Sequence, residues 1–145
     1  MGSDLEKALN ELLFGKEDIC EVFFRFERTR RACRVFIAWL RSRGGEATPA
    51  EISEFSRDLE LGKASPGFTY LRTNFYRTVL SRLTALGLLA VQDRFDSESK
   101  RMTRKYAPLT QWVSSRPPYG GGTFLKLAWV LASRWNRLWV EEEVP

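Results

Sequence analysis

The chain has 145 residues, 43% hydrophobic and 28% charged, values that exclude a disordered, collagen-like or low-complexity polymer and fit one globular core. Its net charge of +5 is unevenly laid out: residues 1–60 hold ten Lys/Arg against twelve Asp/Glu, residues 61–140 hold thirteen against three, and Glu141, Glu142 and Glu143 follow. The basic field therefore belongs to the middle and late chain, where it would attract a polyanion, a plainly solvated face being the simpler alternative.

In chain order, Leu5, Ala8, Leu9, Leu12 and Leu13 recur at the spacing of one helix face and end near Gly15. Ile19, Val22, Phe23 and Phe26 form a second run. Ala32, Val35, Phe36, Trp39 and Leu40 form a third that stops at Gly44-Gly45, and the two runs fit either one long helix or a kinked pair. Thr48-Pro49-Ala50-Glu51 reads as an N-cap, a proline at the first helical position and a capping-box acid, so a helix starts there and runs to about Leu61. Residues 62–67 carry turn chemistry, and the spacing predicts a helix over 68–86, stopped by Gly87. The period then changes to two: Leu89, Val91 and Asp93 alternate, Asp96-Ser97-Glu98-Ser99 is a polar turn, and Met102 to Tyr106 alternates again, which predicts a β-hairpin. Pro117-Pro118 and Gly120-Gly121-Gly122 mark a loop before a last helix over 123–140.

The helix over 68–86 carries the chemistry. A helical wheel puts Leu71, Phe75, Tyr76, Val79, Leu80, Leu83 and Leu86 on the packed side and Tyr70, Thr73, Asn74, Arg77, Ser81 and Thr84 on the other, with Arg72 adjoining. Every residue of that second side can hydrogen-bond and none is an acid, whereas a solvated helix face usually mixes Glu with Lys. Major-groove reading asks for this composition: Arg to guanine O6 and N7, Asn to adenine, Ser or Thr to bases and phosphates. Arg77 and Asn74 are the candidate specificity residues. On the hairpin, Lys100, Arg101, Arg104 and Lys105 crowd one strand as candidate phosphate contacts, with Asp93, Asp96 and Glu98 set against them.

The order helix, helix, helix, hairpin over residues 30–109 resembles a winged helix-turn-helix domain. Leu80, Leu83 and Gly87-Leu88-Leu89 close its third helix, and residues 96–101 lead into Tyr106-Ala107-Pro108-Leu109-Thr110. Within that superfamily it is most similar to transcriptional regulators of the multiple antibiotic resistance type, although the 62–67 link is longer than the usual tight turn. The resemblance implies a mainly α fold with a small β-hairpin wing (α+β). It divides the chain into a helical extension (1–28), the winged domain (29–110), and a loop with a C-terminal amphipathic helix and acidic tail (111–145). It also implies sequence-specific binding of double-stranded DNA by a homodimer, with Thr73, Asn74 and Arg77 on the recognition helix and Lys100, Arg101 and Arg104 on the wing. Winged helices also serve as protein-binding adaptors in transcription and replication assemblies, and that alternative stays open.

On the last helix Phe124, Leu127, Ala128, Leu131, Trp135, Leu138 and Trp139 share one face, with Trp129 and Val130 widening the apolar arc. This helix and the 5–13 run either close the monomer core or build the dimer.

The chain contains no histidine, which removes the commonest general base, the Ser/His and Cys/His pairs and most zinc sites, so no enzyme, cofactor or metal is expected. Gly120-Gly121-Gly122-Thr123 lacks the ending of a phosphate-binding loop. Cys20 and Cys33 read as buried free thiols. The longest apolar stretch, 124–132, contains Lys126 and is too short to span a bilayer, and the N-terminal residues lack secretory character; a cytoplasmic protein without membrane contact is expected. The sequence names no small-molecule effector.

Overall fold

A computed structural model describes residues 19–116 and 122–140. The 5–13 run, the Pro117-Pro118 turn, Gly120, Gly121, the side chain of Phe124 and the Glu141–Glu142–Glu143 tail lie outside the described residues. Five helices and one two-stranded antiparallel hairpin are described, a mixed α/β composition of the α+β class. The chain divides into two units: Phe26–Leu109, and Met1–Arg25 together with Thr110–Pro145. No helix among the described residues is long and apolar enough to cross a membrane.

The second and third apolar runs form two separate helices, α1 (Ile19–Phe23) and α2 (Glu27–Ser42). Phe26, with φ −94° and ψ 138°, is extended and starts α2 without a side-chain cap. Helix α3 (Pro49–Glu60) begins as its sequence dictates. The Thr48 hydroxyl accepts the Glu51 N–H at 3.2 Å, and the Glu51 carboxylate accepts the Thr48 N–H at 2.9 Å. Gly62 ends it at φ +78°, a conformation that a side chain would strain, and the Lys63 N–H reaches back to the Asp58 carbonyl at 2.8 Å.

The helix expected over 68–86 starts later. Residues 68–71 instead enter it in a turn and a short non-helical segment, because Phe68 bonds back to the Ser65 carbonyl at 3.1 Å and Tyr70 to the Leu59 carbonyl at 3.2 Å. Helix α4 then runs as one continuous body: an α turn at Arg72–Asn74, wide π turns at Phe75–Leu80 and an α turn at Ser81–Ala85. Gly87 at φ +76° ends it, with the Leu88 N–H on the Leu83 carbonyl at 3.0 Å.

Three rings lock α2, α3 and α4 together. Phe36, Phe55 and Phe75 are all buried, with pairwise centroid separations of 5.2, 5.5 and 5.6 Å. Such ring pairs contribute roughly 0.5–1.5 kcal/mol each beyond their burial. Strands β1 (Leu89–Asp96) and β2 (Arg101–Pro108) pair in register from Leu89 opposite Pro108 to Asp96 opposite Arg101. Ala47, in the link between α2 and α3, adds a further rung, exchanging both backbone hydrogen bonds with Tyr106 at 3.1 and 2.7 Å. The hairpin is thereby tied to the base of the helices.

In the other unit, Val130 of α5 (Gly122–Leu138) is buried against Val22, Leu127, Trp129 and Leu131. Trp135 is fully buried. The Trp129 indole donates to the Ser114 carbonyl at 2.9 Å, and the Asn136 amide exchanges two hydrogen bonds with the Gln111 backbone at 2.7 and 2.8 Å. Trp129 and Val130, which widen the apolar arc of the last helix, thus pack within their own unit, whereas Ala128 is exposed. Cys20 and Cys33 are buried and form no disulfide.

Candidate nucleic-acid interface

The outward side of α4 is built by what its inward side must bury. Phe75, Val79, Leu80 and Leu83 are buried, and Phe75, Val79 and Leu83 recur at a spacing of four along one side. Thr73, Asn74, Arg77, Ser81 and Thr84 are left exposed, with Arg82 beside them. The Thr84 hydroxyl bonds back to the Leu80 carbonyl at 2.7 Å, which withdraws it from outward contacts. Among the described residues Arg77 meets no carboxylate, and residues 61–92 contain no Asp or Glu. Arg82, exposed on the same helix, was missed by the wheel; its place in the 61–92 stretch was the available signal.

Two expectations for this segment are corrected. Tyr70 does not belong to the outward face: it is only 7% exposed, and its hydroxyl lies 3.1 Å from that of the buried Thr29 on α2. The wheel failed because Tyr70 precedes the helix. Leu71 and Leu86, assigned to the packed side, are 58% and 51% exposed, one preceding the first helical residue and the other capping the last. Arg72 is half-buried and donates to the Ser53 hydroxyl of α3 at 2.6 Å, with its guanidinium 5.8 Å from the Tyr76 ring centroid, so it braces α4 against α3.

The hairpin separates residues that look equivalent in sequence. Side chains alternate across a strand, so Arg101, Thr103 and Lys105 share one face and Met102, Arg104 and Tyr106 the other. Lys105 and Arg94 both reach Glu46, at 3.7 and 3.5 Å, and Arg104 reaches Asp93 at 3.8 Å. Lys100 and Arg101 are exposed and meet no carboxylate among the described residues. Lys100 sits at φ +56° in the tip turn.

Asp96 makes that turn. Its carboxylate accepts the Glu98 N–H at 3.1 Å and the Ser99 hydroxyl at 3.0 Å, and these bonds, the backbone one foremost, hold its pKa below the ordinary aspartate value. Asp96 is therefore spent on geometry. Beyond it stand Phe95 and Met102, opposite each other in the register and 66% and 64% exposed. No group of three or more His, Cys, Asp or Glu among the described residues could hold a metal ion.

Comparison of the chain with known protein families, with curated proteins and with solved structures finds no match in any of the three.

Proposed function

We propose that the chain is a winged helix-turn-helix transcriptional regulator that binds double-stranded DNA sequence-specifically as a homodimer. The observation that carries the reading is α4: a helix pinned to the core by Phe75, Val79 and Leu83 offers Thr73, Asn74, Arg77 and Ser81 outward from a 32-residue stretch without a carboxylate. Arg77 and Asn74 would meet base edges in the major groove. Lys100 and Arg101, at the end of a hairpin anchored through Ala47, would meet phosphates. A dimer built from the terminal helices would set two such helices about 34 Å apart and call for a two-fold operator.

Affinity then falls steeply with salt as counterions are released. Arg77→Ala relaxes preference at one base position by about 1–3 kcal/mol, whereas Arg101→Ala weakens all sequences alike. Duplexes selected from a random pool and their scrambled counterparts, titrated with both variants, test this; equal effects of the two substitutions on both duplexes would refute the division of roles.

One observation favours a second reading. Leu71, Leu86, Phe95 and Met102 place exposed apolar side chains on or beside the same elements, as a protein-binding adaptor would. A partner protein that engages the Thr73–Arg77 surface, together with no duplex binding at low salt, would favour it.

A further inference from the structure

The first turns of α2 carry four arginines, and the fold treats them as two pairs. Arg30 and Arg34 turn to the Glu27 carboxylate, at 3.9 and 3.3 Å. Arg28 and Arg31, three apart and so on one side of the helix, turn to the segment that enters α4. The Arg28 guanidinium donates to the Thr69 carbonyl and stands 5.2 Å from the Phe68 ring centroid. That of Arg31 stands 4.6 Å from the same centroid. Both residues are exposed, Phe68 beneath them is buried, and neither arginine meets a carboxylate among the described residues.

Two cations sharing one ring lie within about 10 Å of each other and repel. Stacking engages the face of a guanidinium and leaves its N–H edge for an acceptor. An anion seated between the two edges relieves the repulsion and fills those donors. The position is also fixed: the Thr29–Tyr70 hydroxyl pair and the Tyr70 bond to Leu59 hold the strap under the arginines. From Thr69 to Arg72, the first residue of α4, is three peptide steps, at most about 11 Å.

We propose that Arg28 and Arg31 form a phosphate site that takes one backbone phosphate of a duplex whose groove receives α4. This rests on the DNA-binding reading above and adds to it an anchor that sets where the recognition helix starts along the strand.

The test uses the full chain and two double variants, R28Q/R31Q and R28K/R31K, titrated on a selected and a scrambled duplex between about 50 and 200 mM salt. For R28Q/R31Q the slope of log affinity against log salt becomes shallower by about 0.9, equally on both duplexes, while the Arg77-dependent base preference persists. R28K/R31K keeps the charge and the slope. R31Q alone, which leaves the Arg28–Thr69 bond in place, carries the test if the double glutamine variant does not fold. An unchanged slope in a folded glutamine variant, with R77A still losing its base preference, overturns the site and leaves the DNA-binding reading standing. As an independent arm, inorganic phosphate titrated into the wild-type chain is expected to move the Arg28 and Arg31 Nε–H resonances. If they move while the duplex is ignored, the duplex reading falls and an anion site remains; if neither arginine responds, the site is overturned.

Discussion

Replacing Tyr70 by Phe separates a structural from a contacting role for this side chain. The hydroxyl is buried and shares a 3.1 Å hydrogen bond with Thr29, itself buried, so the substitution removes one hydrogen bond and leaves the Thr29 hydroxyl short of a partner. A buried bond of this kind contributes about 1 kcal/mol net, and an orphaned partner raises the cost to about 1–2 kcal/mol. With a urea m-value of about 2 kcal/mol/M, the midpoint drops by roughly 0.5–1 M with m unchanged. Thr29→Val costs a similar amount, and the double variant Y70F/T29V loses less than the two singles together, because removing both polar groups leaves nothing unsatisfied. Urea unfolding followed by tryptophan fluorescence measures all three. Under the proposed DNA-binding function, Y70F keeps the wild-type base preference. An unchanged urea midpoint combined with weakened duplex binding would refute this account and return Tyr70 to the interface.

Thr48→Ala opens the capping box and costs about 1 kcal/mol of stability, read as a lower thermal midpoint with duplex affinity retained in the folded fraction. Glu46→Gln releases Arg94 and Lys105 from their carboxylate, so under the proposed function duplex affinity is expected to rise and its salt dependence to steepen in a fluorescence-anisotropy titration. The Asp96 pKa is depressed in the folded chain, so its support of the hairpin tip is complete above the ordinary aspartate value and is lost as pH falls through the lower folded value. The Glu98 amide resonance should therefore titrate at more acidic pH than in a free peptide of the same turn, and Asp96→Asn should abolish that titration.

Local signals were legible wherever chemistry and backbone geometry coincide within a few residues. The Thr48–Glu51 capping box, the Gly87 stop and the Asp96 turn each announce themselves, and each forms as read. The start of α4 was not legible, because Phe68 falls in step with Leu71 and Phe75, and Tyr70 with Thr73 and Arg77, while their backbones bond to Ser65 and Leu59. A wheel registers where an aromatic recurs, not whether its own amide is already committed elsewhere. The Ala47–Tyr106 rung joins residues far apart in the chain and leaves no periodic trace.

Charge shows the same division more sharply. In the sequence, Arg77 stands out as a base reader, whereas Arg101, Arg104 and Lys105 are alike as phosphate contacts and Arg72 simply adjoins the polar side. The fold gives Arg72 to Ser53, Lys105 to Glu46 and Arg104 to Asp93, and leaves Arg77 and Arg101 facing outward with Lys100. The exposed Arg104–Asp93 pair, at 3.8 Å between well-solvated side chains, contributes little to stability. Arg72 is different: half-buried and bonded at 2.6 Å to the Ser53 hydroxyl, it ties the first turn of α4 to α3. A neutral substitution there removes that tie, while Phe36, Phe55 and Phe75 still hold α2, α3 and α4 together. Arg72 is thus a cation whose partners, the Ser53 hydroxyl and the Tyr76 ring, both lie within the domain.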